Sequence, residues 1–216
     1  MTYALTDIEE TNIRDQVFRN GTYSRPANWH VALYKVPPRD AGIGVEVTES
    51  GYARIAVPTG AGSTWGVEGP GQVDNDNQIE FGAFGAAITP FEVVAAGLFD
   101  VSTSGSPRYW GWISTLFTQF VGRNTGDVFE QYGLTLANGN RVILKGAGLP
   151  AGVTADEIYY VVGLSGATFQ LSLTSGGAAI VLTTDGAGEV HLLDVKTVGP
   201  NDFYRFPAGN LDVFFD

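Results

Sequence analysis

Over most of this chain apolar and polar residues alternate with a period of two, the period of a strand with one buried face. From Trp29 to Val36 the alternation puts Trp29, Val31, Leu33 and Lys35 on one side and His30, Ala32, Tyr34 and Val36 on the other. Pro37-Pro38 ends that strand, because proline has no N–H to give to a ladder. Val45–Thr48 and Tyr52–Val57 read as the next pair, separated by a turn or bulge at Glu49-Ser50-Gly51. The glycine-rich stretch 58–71 reads as a loop, and Gln78–Phe84, Phe91–Val101 and Arg108–Ile113 as further strands. One segment departs from this period. Leu5, Ile8, Ile13 and Val17 recur at near-helical spacing, and Thr6 and Glu9 are spaced as a capping box. Asp7, Glu9 and Glu10 suit the positive end of a helix dipole, and Arg19 followed by Asn20-Gly21 suits the other end. A helix is predicted over about residues 7–19, with its apolar face packed on a sheet.

The texture changes at about Asp127. The apolar segments become short and evenly spaced: Leu134–Leu136, Arg141–Leu144, Ile158–Val162, Phe169–Leu173, Ile180–Thr183 and Glu189–Leu193. Asn138-Gly139, Ser165-Gly166 and Asp185-Gly186 lie between them, and such pairs supply the backbone angles of tight hairpins. The expected fold is therefore mainly β. A β-sandwich host domain with one N-terminal helix, residues 1–123 plus 194–216, carries an inserted small β-barrel or sandwich domain at 124–193.

Composition narrows the function. The 29 glycines and 10 prolines are the punctuation of many short strands. A chain of 216 residues buries enough surface to need no staple, and it has no cysteine for a disulfide, a zinc–thiolate site or a thiol nucleophile. The formal charge of −11 and the lack of a basic cluster argue against nucleic acid and anionic membranes as partners. No apolar run reaches transmembrane length, and the acidic N-terminus does not read as a signal peptide. Synthesis in a cytoplasm is expected.

Candidate chemistry is sparse. His30 and His191 fall in different predicted domains, without metal-ligand spacing, and read as packing residues. Asp74-Asn75-Asp76-Asn77 has oxygen spacing that could feed a hard cation such as calcium, but it lacks the glycine and glutamate of an EF-hand loop. It is read as a turn, and no metal site is assigned. Gly146–Gly152 fails as a dinucleotide loop because its glycine spacing is wrong and strands follow it. No catalytic or cofactor-binding residue can be named, and the chain is expected not to be an enzyme. Trp110 and Trp112 share one face of a strand; exposed, they would make a glycan platform, and buried, a core or seam. Apolar termini are often ordered by a partner, so Tyr3, Leu5, Ile8 and Phe18, with Phe214 and Phe215, are the expected interface residues, the alternative being that the helix simply covers its own sheet.

Two segments carry a resemblance: NWHVALYKVPPRDAGIGVEVTESGYARIAV, from Asn28 to Val57, and FYRFPAGNLDVFFD, from Phe203 to Asp216. Together they resemble the small β-rich, tail-fibre-like proteins of tailed bacteriophages. A second stretch matches a β module that recurs inside phage structural proteins, at Gly139–Val142, Gly148–Gly152, Tyr159–Val162 and Thr168–Thr174. Removing the second stretch joins YWGWISTLFTQFVG to VKTVGPNDFYRF, as the first family runs, which is why the module is placed as an insertion. Pro200-Asn201-Asp202 departs from that family's Gly-Asp turn before the final strands. The resemblance implies an exterior virion protein that decorates or cements the capsid, or alternatively a tail fibre, a fibre-attachment protein or a glycan-binding host-recognition module. It also implies capsid or tail proteins as partners and a homo-oligomer, with a trimer as the expected state.

Overall fold

The structure, a computed structural model, describes residues 3–19, 21–22, 26–39, 44–60, 64–69 and 72–214. It is mainly β with one helix, and the chain divides into two compact units, residues 1–113 with 195–216 and residues 114–194. Among the described residues no helix is long and apolar enough to cross a membrane.

The first unit begins with strand β1 (Tyr3–Leu5), helix α1 (Asp7–Phe18), β2 (Asn28–Val36), β3 (Val45–Glu46) and β4 (Ile55–Pro58). It continues through β5 (Trp65–Gly69), β6 (Gln72–Asn75), β7 (Ile79–Phe81), β8 (Phe91–Val93), β9 (Ala95–Phe99) and β10 (Tyr109–Trp112). A six-stranded antiparallel sheet has the order β1-β10-β9-β2-β3, with β4 also on β2. The split partnership of β2 follows from its length: residues 28–31 pair with β4, while Tyr34 and Val36 pair with β3. Glu49-Ser50-Gly51 forms the expected turn, with Gly51 at a φ of 87° and Tyr52 N–H donating to the Glu49 carbonyl.

The stretch expected to be a loop holds a strand. β5 pairs with β6 because Trp65 and Val67 alternate through the glycines. The expected long strand 91–101 is two strands broken at Val94, whose N–H donates to the Tyr34 carbonyl.

The first core lies between the large sheet and three small ones. Val31, Leu33, Ala96, Leu98 and Tyr109 come from the large sheet, and Phe81, Val93, Phe206 and Val213 from the small ones. Phe81 sits at its centre, stacked 5.9 Å from Tyr52 and edge-on to Tyr204 and Phe206, each at 6.3 Å.

The second unit is a closed antiparallel barrel of β11 (Ser114–Arg123), β12 (Val128–Gln131), β13 (Arg141–Lys145), β14 (Tyr159–Ser165), β15 (Thr168–Ser172) and β16 (Gly186–Leu193), in the order β11-β12-β15-β14-β13-β16. β11 pairs with β12 and β16, so the strand runs back from residue 123 to Ser114 as part of the barrel. The expected strands 134–136 and 180–183 do not form. Leu134, Leu136 and Leu182 are buried in the barrel core without a ladder, so their alternate spacing reflects plugs in its interior. After the barrel, β17 (Lys196–Val198), β18 (Tyr204–Phe206) and β19 (Val213–Phe214) return to the first unit and pair with β8, β7 and β6.

Candidate interaction surface

The residues expected to meet a partner begin with β1 and α1. β1 is an edge strand of the six-stranded sheet, with Tyr3 opposite Gly111 and Leu5 opposite Tyr109. The side chains of Tyr3, Leu5 and Phe214 lie outside the described residues, as do Phe215 and the expected cap Asn20.

The predicted capping box does not form, because both of its side chains are drawn to residues 107–109, where the chain enters β10. Thr6 is fully buried, and its hydroxyl donates to the carbonyls of Pro107 and Arg108 at 3.0 and 3.2 Å. Glu9 is the one buried residue of α1. Its carboxylate accepts from Asn12 Nδ2 at 3.2 Å and from the Tyr109 hydroxyl at 3.4 Å, and lies 3.9 Å from Arg108. Arg108 in turn grips Asp100 at 2.6 Å.

The helix is therefore held on its polar side. Its apolar residues, expected to pack on a sheet, face outward: Ile8 is 41 % exposed, Val17 64 % and Phe18 81 %. The physical reason is position. At 100° per residue Ile8, Val17 and Phe18 do not share a stripe, so no single face can bury them, whereas Thr6 and Glu9 lie one turn apart.

Beneath α1 lies a cleft of about 220 Å³ lined by Glu9, Asn12, Thr22, Pro26, Trp29, Asp100 and Arg108. Trp29 meets Tyr109 edge-on at 5.4 Å. This aromatic ring beside carboxylates, an amide and a guanidinium was missed in the sequence because its partners come from three distant segments.

Trp110 and Trp112 do not form an exposed platform: they are 5 % and 2 % exposed, in T-shaped contact at 5.9 Å. They share the sheet face turned away from the first core with Tyr34 and Phe99, which stack at 6.5 Å. Arg54 closes over Phe99, 3.4 Å from its ring centroid, and its guanidinium is held by both oxygens of Glu46. Large side chains thus occupy both faces of this sheet, and its tryptophans take the buried alternative.

In the barrel, Leu116 and Phe117 are 59 % and 60 % exposed. The cue for them in sequence is two adjacent large apolar residues, which cannot both face inward from a regular strand. Phe117 stacks 4.9 Å from His191, which is 4 % exposed and 3.1 Å from Glu189. Burial lowers the His191 pKa below the ordinary 6.5; nearby Lys145 acts in the same direction, and Glu189 and Asp156 oppose it.

The unfolded chain therefore binds this proton more tightly than the folded one. The contribution of neutral His191 is complete above a pH of 6.5 and is lost as pH falls from there to the folded value. An NMR titration of the His191 ring is expected to give a midpoint below 6.5, and a midpoint at or above it would contradict this assignment.

A family model described as podophage GP4 fiber I protein gp80 matches residues 4–132, or 129 of the 216 residues. The match runs from inside β1 through β12 and includes α1 and the cleft beneath it. The C-terminal segment from Phe203 lies beyond the matched range. No curated protein matches the chain.

Proposed function

Because the chain belongs to the family of the podophage GP4 fiber I protein gp80, we propose that it is a non-catalytic structural protein on the exterior of a tailed-phage particle, built into its fibre apparatus. The observation that carries the attachment is the inverted packing of α1, which spends its polar side on its own sheet and leaves Ile8, Val17 and Phe18 outward. A stable protein interface buries about 800 Å² on each partner around an apolar centre. Val17 and Phe18, adjacent at the end of α1, start such a centre, and another virion protein or a second copy supplies the rest. Symmetric particle positions favour a homo-oligomer, with a trimer as the expected state.

The non-catalytic assignment is supported by the cleft. Its two carboxylates are already engaged: Glu9 by Asn12, Tyr109 and Arg108, and Asp100 by Arg108. A second reading, recognition of a host glycan, is favoured by Trp29 in that same cleft, since an aromatic ring beside hydrogen-bonding groups suits a sugar. A sugar-dependent shift of the Trp29 indole resonance distinguishes it.

The test of attachment is cryo-electron microscopy of particles carrying either the natural chain or Val17→Asp/Phe18→Asp. Both positions are exposed, so folding is expected to change by only about 0.5 kcal/mol or less. Density on the tail that the double variant loses supports the proposal. Density on the capsid lattice replaces the fibre placement with the decorating or cementing role. Absence of the natural chain from the particle overturns both.

A further inference from the structure

β6 runs through Asp74 and Asn75 and continues into a bend at Asp76-Asn77, so only part of this Asx run serves the expected turn. Strand alternation puts Asp74 and Asp76 on one face. Asp74 is 5 % exposed, and its Oδ1 is buried without a hydrogen-bond partner. Among the described residues, no lysine, arginine or histidine forms an ion pair with either carboxylate. A carboxylate oxygen buried without a partner is destabilising unless a further group satisfies it.

Across the ladder from Asp74 is Gly66 of β5. A Cβ built on Gly66 would lie 2.5 Å from Asp74 Oδ1 and 2.5 Å from Asp76 Oδ1. The two oxygens therefore converge over a bare backbone, separated by no more than the 5.0 Å sum of those distances. On its other side Asp74 Oδ2 faces Gly209, at 3.4 Å from the Cβ position there. Asp76 is exposed, so the inner oxygen has a route to solvent through the outer one.

We propose that Asp74 and Asp76 hold a calcium ion over Gly66. Calcium binds oxygen at about 2.3–2.6 Å, so an ion bridging two carboxylates sets their oxygens at most about 5 Å apart, which is compatible with the upper bound set over Gly66. Its loose geometry accepts two carboxylates with water completing the shell, whereas magnesium needs a tighter octahedron. Among the described residues no third carboxylate or histidine joins them, which places the site in the weak class, with a dissociation constant of about 10⁻⁴–10⁻³ M. The ion braces the end of β6 beside Asn75, whose side chain holds the turn that leads into β19.

The test uses the full chain, freed of metal with EDTA and titrated with calcium or magnesium at neutral pH. At about 10 mM calcium, roughly ten times the weakest constant of this class, the melting temperature is expected to rise by about 3–6 °C, and magnesium to give less. Terbium luminescence sensitised by Trp65, the neighbour of Gly66, should report the same site. Asp74→Asn removes the unpaired charge, so in EDTA this variant should melt no lower than the natural chain while losing the calcium response. Asp76→Asn should lose the response as well. A natural chain that melts alike in EDTA and calcium without sensitised terbium overturns the proposal, as does an undiminished response in both variants.

Discussion

Phe129→Ala is expected to destabilise the barrel by about 3–5 kcal/mol, a large share of the stability of a typical domain. Phe129 is fully buried in β12, with the ring of Phe120 edge-on at 5.3 Å and that of Phe169 stacked at 5.5 Å. Removing it takes away one ring of a three-ring column and leaves a cavity between partners on β11 and β15, which the closed ladder prevents from collapsing. The measurement is amide hydrogen exchange of peptides within residues 114–194. Protection should fall by about 10²-fold to several thousand-fold, at about tenfold for each 1.4 kcal/mol. Unchanged protection would mean that the barrel is held by something other than this column.

Asn75→Asp is expected to cost about 3–5 kcal/mol although only one atom changes. Asn75 is fully buried, and Nδ2 donates to the carbonyls of Asn77 and Pro207 at 2.7 and 2.9 Å. Its Oδ1 accepts from the Leu211 N–H at 2.7 Å and the Asn210 N–H at 3.2 Å. Aspartate keeps the two accepted bonds but turns an oxygen against two carbonyl oxygens and brings a charge into the interior. Protonating that new carboxyl restores a donor, so the deficit should shrink as pH falls. Urea unfolding of the two proteins at neutral and acidic pH checks both parts, and equal midpoints at neutral pH would remove Asn75 from its role as clasp.

These two residues also show where the sequence was readable. The alternation through Trp29–Val36 marked β2 to within one residue, and Pro37-Pro38 marked its end, because period and punctuation are local properties. The mainly β character with one helix was legible for the same reason. β5 was hidden by glycines, which carry no hydropathy signal although the strand needs them for close approach.

The apolar residues of α1 suggested a buried face, but the helix rests on Thr6 and Glu9, whose partners at residues 107–109 are a hundred positions away. Leu134, Leu136 and Leu182 imitate strand spacing because an interior filled from irregular segments also selects alternate apolar residues. The cleft at Trp29 and the convergence of Asp74 and Asp76 on Gly66 depend on tertiary geometry, of which the sequence carried only the Asx run.

The barrel opens into the rest of the chain at one place. It begins at Ser114 and ends at Asp194, and Ser114 is paired with Leu193 on the adjacent antiparallel strand. Tension transmitted through residues 113 and 195 would therefore act on two neighbouring strand ends and part the ladder between β11 and β16 one pair at a time. It would not load the whole ladder in shear. Loaded through those two residues, such a module is expected to give way at low force and to lengthen the chain as it does so. It acts as slack rather than as a strut.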